Sequence, residues 1–351
     1  MASSTIAEPA VSVTGGVDTH ADVHVAAALD QRGVLLGTES FATTPDGSRR
    51  LEAWLLSFGP VDAVGVEGTG AWGAGIARHL AAAGHRVVEV DRPDRKTRYR
   101  RGKSDTIDAE AAARAVQAGT AAGTPKARNG LVESIRALRV ARRSAIKDRS
   151  AAAHQIHSLV STAPDELRSQ LRTLPLRQLI ATCAAFRPGD LTDPAQATKA
   201  ALRSIARRHL RLADDIAELD AQLEPLVRQA APPSLLARRG VGIDVAGQLL
   251  VTAGDNPDRL RSPAAFAHLC GVAPIPIASG RSSAYRLNRG GDRAANSALY
   301  RIVLCRLRWD PDTRAYLDRK IKEGKTKKAA IRCLKHYIAR EIYTDLRQLT
   351  P

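Results

Sequence analysis

Between Val11 and about Pro125 the chain sets three short β-branched runs close together before any helical pattern: the run ending TGGVDTH, then VHVAAALD, then GVLLGTESF. Runs separated by so few residues can pair only by folding back on one another, so they predict an antiparallel meander with Asp30 to Gly33 as its second turn. VDAVGVEG then reads as a fourth strand, Trp72 to Ala83 as a helix closed by Gly84, and HRVVEVD as a fifth strand. Asp105 to Gln117 reads as a further helix stopped by Gly119. Strands mixed with helices in this order predict an α/β domain over residues 11–125, behind a tail at residues 1–10.

The pattern changes after residue 125. Leu131 to Val160 is helical by composition, with an apolar stripe through Leu131, Ile135, Leu138, Ala145, Ala152, Ile156 and Leu159 that Arg142 and Arg149 interrupt. Those arginines point to a helix lying partly against nucleic acid. Leu202, Ile205, His209, Leu212, Ile216, Leu219 and Leu223 keep the 3,4 spacing of a seam, expected to stop at Pro225. Such a seam serves either a coiled coil between chains or a hairpin within one, with His209 as a register-setting polar residue. Residues 126–231 therefore form a helical, coiled-coil region, and residues 232–351 a third, mostly α unit. Its RRGVGIDVAGQLL stretch fits either a helix-hairpin-helix that holds a phosphate or an ordinary glycine-capped turn.

Lys and Arg total 53 against 36 Asp and Glu, a formal charge of +17, and from Arg281 onward there are 18 basic against 7 acidic residues. An excess of this size calls for a polyanionic partner, nucleic acid first. Aromatic residues make up 4% of the chain, so contact with backbone phosphates is favoured over base-stacking platforms. No stretch reaches the roughly 18 apolar residues of a membrane helix and no signal peptide opens the sequence, so a cytoplasmic protein without a membrane partner is expected. Cys183, Cys270, Cys305 and Cys333 form no CxxC pair and read as packed thiols.

Four carboxylates stand where chemistry could use them. Asp18 closes the first strand, Glu67 closes the fourth, and Asp105 and Asp108 share one face of the helix in KSDTIDAEAAARA. Acids at strand ends facing acids on a helix are what a pair of Mg²⁺ ions requires, since Mg²⁺ takes oxygen ligands. Each acid alone is better explained as a turn, loop, cap or surface residue, and only their joint placement favours metal binding. GTGAWG, from Gly68 to Gly73, with Glu89 or Asp91 further on, also matches a dinucleotide fingerprint, which would make the protein an NAD-dependent oxidoreductase. The preceding meander and the basic charge weigh against that reading, and RGKS at Arg101 fails the full P-loop pattern. Ser279, in a loop punctuated by proline and glycine with Arg281, Arg286, Arg289 and Arg293 nearby, is a candidate nucleophile toward a phosphodiester. Ser282 and Ser283 are its alternatives. His20 with His24, and His154 with His157, are expected to be surface or packing histidines, having no third ligand at a motif spacing.

Assembled in this order, the blocks resemble those of the DEDD transposases, bridge-RNA-guided recombinases of bacterial insertion sequences. GVDTHAD, VGVEGTGAWG and KSDTIDAEAAARA are similar to the family's RuvC-like domain, of ribonuclease H-like fold. GVGIDVAGQLL, FAHLCGVAPIPIASG and NRGGDRAANSALYRIV are similar to its C-terminal transposase domain. The resemblance implies Asp18, Glu67, Asp105 and Asp108 as an Mg²⁺-binding tetrad and Ser279 as a nucleophile that becomes joined to DNA. It further implies a structured guide RNA that pairs with donor and target DNA. Protomers would associate as a homodimer or homotetramer through the central coiled coil, with active sites combining the acids of one subunit and the serine of another.

Overall fold

The computed structural model describes residues 12–90, 104–280 and 282–348; the expected tail at residues 1–10, Asp91 and Arg101 lie outside them. The chain divides into two compact units, one running to Gly130 and including Ala253–Ala265, the other made of Leu131–Thr252 and the chain from Phe266.

The first unit holds a five-stranded sheet of β1 (Val13–Thr19), β2 (Val23–Leu29), β3 (Leu35–Ala42), β4 (Val61–Glu67) and β5 (Val87–Val90), in the order β3-β2-β1-β4-β5. The meander pairs antiparallel, and β4 joins β1 in parallel, with β5 parallel beyond it. This mixed sheet is the arrangement expected of a ribonuclease H-like domain. It also overturns the dinucleotide-binding alternative, because the strand that GTGAWG follows lies fourth in the chain, beside an antiparallel meander, instead of opening a doubly wound parallel sheet. The β2–β3 turn forms as its residues dictate: Asp30 Oδ1 accepts from the amides of Arg32 and Val34, each at 2.8 Å, and Gly33 supplies φ +82°.

One face of the sheet is covered by α1 (Pro45–Leu56) and α2 (Ala74–Ala82), which bury Leu51, Leu55, Ile76 and Leu80 against Val13, Val17, Val64 and Val66. Helix α1 was not among the elements expected. Its start is nonetheless written in the sequence, with Thr44 accepting from the Gly47 amide at 3.0 Å as N-cap and Pro45 at the first helical position. The other face carries α3 (Asp105–Gln117), which lies directly on the strands. A Cβ on Gly16 of β1 would stand inside 3.0 Å of the Ala109 carbonyl and the Ala113 amide, and one on Gly65 of β4 would lie 2.7 Å from the Ala112 carbonyl. Only glycines let the helix backbone come this close.

In the second unit, α4 (Leu131–Ser161) is followed by α5 (Asp165–Leu171), α6 (Leu176–Ala184) and α7 (Pro194–Ala230). The two long helices pack against each other within the chain, running antiparallel: Leu202 and Ala206 join Ile156 and Val160 in one core, and Arg142 pairs with Asp220. The 3,4 seam is thus engaged in an intrachain hairpin. Arg142, expected toward nucleic acid, is instead held by Asp220 and Asp244. His209 sits half-buried, its imidazole pushed toward the neutral form by burial and by Arg149. Pro225 does not stop α7 as expected. It lies exposed while Leu223 and Val227 beside it are buried, so the loss of one backbone hydrogen bond is offset by continued packing of the seam.

Beyond α8 (Pro233–Leu236) and α9 (Ile243–Ala253) come α10 (Pro263–Leu269), a hairpin of β6 (Ile275–Ser279) and β7 (Ser282–Arg286), and α11 (Arg293–Trp309), α12 (Pro311–Lys322) and α13 (Lys327–Leu346). Near the start of α9, a possible phosphate seat, Asp244 accepts from Arg139 at 2.8 Å and also binds Arg301. No helix among the described residues is long and apolar enough to cross a membrane.

Candidate metal centre and serine hairpin

The contact of α3 with the sheet decides where the acids go. Side chains two apart on a strand share a face. Gly16 and Gly65 pair across β1 and β4 and both face α3, so Asp18 and Glu67, each two residues further on, project to that same side at neighbouring strand ends. The helix is fixed at its far end by Gln117, which donates to the Asp30 carbonyl at 2.7 Å, and by Arg114, which donates to the Gly33 carbonyl at 3.0 Å. Its first turn, with Asp105 and Asp108, then overhangs the end of β1.

Asp18 and Asp108 are buried, at 6% and 5% exposure, while Asp105 is open to solvent. His20 Nε2 lies 3.1 Å from Asp18 Oδ2 and 3.5 Å from Asp105 Oδ1, so one imidazole spans the two carboxylates. Burial pushes the Asp18 carboxyl above its ordinary value, His20 opposes this, and the negative charges of Asp108 and Asp105 push it further up. These acids crowd one another, and the His20 imidazole lies between two of them.

Glu67 ends β4, where Thr19 Oγ1 donates to its carbonyl at 2.9 Å, tying the two strand ends together. Gly68, at φ +66°, then turns the chain, and GTGAWG forms one side of a cavity of about 280 Å³ that Thr19, Glu67 and Glu89 also line. Glu89, the alternative ribose ligand, accepts from Thr69 and pairs with Arg259 at 3.6 Å. Trp72 stands 60% exposed at this cavity.

The donor set of carboxylate oxygens plus one imidazole fits a hard divalent cation. Asp18, His20 and Asp105 place one ligand atom each within 4.8 Å of one another. His20, expected as a surface or packing histidine, is partly exposed and also lies beside Asp18 and Asp105. Its spacing, two residues beyond Asp18, is the sequence signal for that nearness. His24 is buried and His154 and His157 are exposed, with no metal-ligand grouping among the described residues.

Ser279 belongs to the second unit. It closes β6, pairs with Ser282 and is followed by Gly280 at φ +55°, so it stands exposed near the hairpin tip. A positive φ of this kind is what a tight hairpin connection needs. Arg286, Arg289 and Arg293 are exposed along the chain that follows.

Residues 15–163 match a family model described as Transposase, of the DEDD type of IS110, and residues 234–318 match the Transposase IS116/IS110/IS902 family. Among curated proteins, the chain is 28% identical over 184 residues to the insertion element IS900 uncharacterized 42 kDa protein of Mycobacterium paratuberculosis, covering 52% of this chain and 42% of that one. It is 35% identical over 116 residues to the insertion element IS110 uncharacterized 43.6 kDa protein of Streptomyces coelicolor, covering 32% of this chain and 28% of that one. The matched stretches therefore span less than half the length of either relative.

Proposed function

The chain belongs to the IS110 family of transposases, and from that premise we propose that it cuts and rejoins DNA as the recombinase of an insertion element. The observation that carries this reading is the grouping of Asp18, His20 and Asp105 at the first turn of α3, with the charge of Asp108 acting on Asp18 and Glu67 on the adjoining strand end facing the same way. In this reading Asp18, Glu67, Asp105 and Asp108 hold Mg²⁺. When bound, paired divalent cations lower the barrier for an oxygen to attack phosphorus and for the sugar oxygen to leave. His20 orients the carboxylates of Asp18 and Asp105, and Thr19 fixes the end of β4 so that Glu67 keeps its place.

Ser279 is the nucleophile. Its Oγ forms a bond to phosphorus as the bond to one sugar oxygen breaks, which leaves a free sugar hydroxyl and a phosphoserine-linked strand. Rejoining reverses the exchange with a hydroxyl from another strand. Arg286, Arg289 and Arg293, on the chain after the hairpin tip, supply cations for the phosphates of the strand that Ser279 attacks. The family resemblance implies an assembly of two or four subunits in which one protomer's serine meets another's acids. Sequence choice is assigned to a structured guide RNA. A +17 chain with 4% aromatics is suited to holding helices by their phosphates while base pairing does the reading.

The test is covalent capture on element-end DNA with Mg²⁺ and the RNA that co-purifies. Wild type is expected to form a protein–DNA adduct that Ser279→Ala abolishes and Asp18→Asn prevents with folding intact. An adduct surviving in Ser279→Ala moves the role to Ser282 or Ser283. Cleavage retained in Asp18→Asn removes the metal-site claim.

A further inference from the structure

The second unit contains a cavity of about 610 Å³ to which the proposed reaction gives no role. It opens at the base of the β6–β7 hairpin, between that hairpin and α13. Two glycines allow it to exist: the loops before β6 and after β7 cross where a Cβ on Gly291 would fall inside 3.0 Å of the Gly271 backbone. Asn296 braces the crossing, donating to the carbonyls of Cys270 and Gly271 at 3.1 and 3.0 Å and accepting from Lys335 Nζ at 2.6 Å.

The lining combines two features that are rare together in this chain. Arg286, Arg289, Arg332 and Lys335 all face the cavity, no carboxylate lines it, and none of the four makes an ion pair among the described residues. Tyr285 and Tyr337 also line it and expose 74% and 51% of their surface, although the whole chain has only six tyrosines. Tyr337 is held edge-on by Tyr316, with ring centroids 5.8 Å apart, so one rigid ring stands ready to be covered. Cations without counter-ions call for phosphate, and rigid exposed rings call for a flat partner such as a base. The volume suits one nucleotide and excludes a duplex.

We propose that this cavity receives a single unpaired nucleotide of the DNA strand attacked by Ser279, its base stacked on Tyr337 and its flanking phosphates held by Arg286, Arg289 and Lys335. DNA is the strand in question because the hairpin that walls the cavity also carries the serine. Tyr285 pairs with Pro276, three residues from the Ser279–Ser282 pair, so the cavity lies about 10 Å down the hairpin from the serine. That distance is the rise of about three stacked nucleotides. The assignment rests on Ser279 being the nucleophile, but its binding step does not require cleavage.

The experiment uses the full chain and a tetradeoxynucleotide carrying 2-aminopurine, whose fluorescence falls when the base stacks on an aromatic ring. Wild type is expected to quench it saturably, Tyr337→Phe to match wild type, and Tyr337→Ala to weaken binding by about tenfold, as for loss of one base–aromatic stack. Arg289→Gln is expected to lower the salt slope by about one phosphate contact. Tyr285→Ala alters a side chain outside the core and serves as the second variant should Tyr337→Ala melt early. Unchanged quenching in both tyrosine variants overturns the proposal, as does a tetraribonucleotide that binds as tightly as the DNA. Covalent capture runs in parallel. An adduct with tyrosine-independent quenching sinks the cavity alone, whereas tyrosine-dependent quenching without any adduct sinks the reading of Ser279 alone.

Discussion

Gly16→Ala adds one methyl group at the contact that places the acids. The new Cβ would lie inside 3.0 Å of the Ala109 carbonyl oxygen and Ala113 amide nitrogen, and 2.9 Å from the Ala113 Cβ. Carbon contacts are comfortable at about 3.5–4.0 Å, so α3 must retreat from the sheet by about 1 Å. The backbone at Gly16 is ordinary strand, so the effect is steric. Overpacking of this kind costs about 1–3 kcal/mol, and a 1 Å displacement of groups that must align at a phosphate costs on the order of a hundredfold in rate. Melting followed by circular dichroism and Mg²⁺-dependent cleavage of element-end DNA read the two effects. Gly75→Ala is the control, since a Cβ there meets nothing within 4 Å. A Gly16→Ala protein with the melting temperature and cleavage rate of wild type would refute the claim that this helix–strand contact sets the site.

Asp18→Asn removes one of several crowded carboxylates, so without metal it should melt no lower than wild type; Mg²⁺ should raise the melting temperature of wild type only, as read by differential scanning fluorimetry. Burial raises the Glu52 carboxyl, but hydrogen bonds from His85 at 3.1 Å and His79 at 2.8 Å outweigh it and hold Glu52 below its ordinary value. A depressed carboxyl contributes stability above its unfolded value and loses it as pH falls through the folded one, so Glu52→Gln should lower the melting temperature at neutral pH, with the gap closing in acid. Arg142→Ala removes the link to Asp220 across the α4–α7 hairpin and should destabilise it by about 1 kcal/mol in urea titration, the pair being partly exposed. Burial pushes the Cys183 thiol up to about 11, so a thiol reagent at pH 8 should label it only after unfolding.

The sheet was legible because strand and turn signals alternate cleanly: Asp30 and Gly33 demand a turn, and Gly84 and Gly119 close helices at positive φ. Helix α1 is announced only by Thr44, Pro45 and the Leu51–Leu55 spacing, a weaker signal than the β-branched runs on either side of it. Pro225 reads locally as a stop, but the buried seam that continues past it carries the helix through. For the site, the acids could be named from their positions at element ends. Their meeting could not be read, because it depends on Gly16 and Gly65 accepting a helix backbone, which no spacing encodes. The nearness of His20 to Asp105 is not legible either, because Asp105 arrives from a helix 85 positions along the chain. Arg142 interrupts an apolar stripe, which suggests a face toward nucleic acid; its partners Asp220 and Asp244 lie 78 and 102 positions away, beyond any local pattern.

The most direct measurement is anomalous diffraction from crystals of the full chain grown with Mn²⁺ in place of Mg²⁺. Peaks bonded to Asp18 and shared with Asp105, Asp108 or Glu67, and lost in Asp18→Asn, are the expected result. Manganese bound elsewhere, or carboxylates that stay metal-free at saturating concentration, would contradict it.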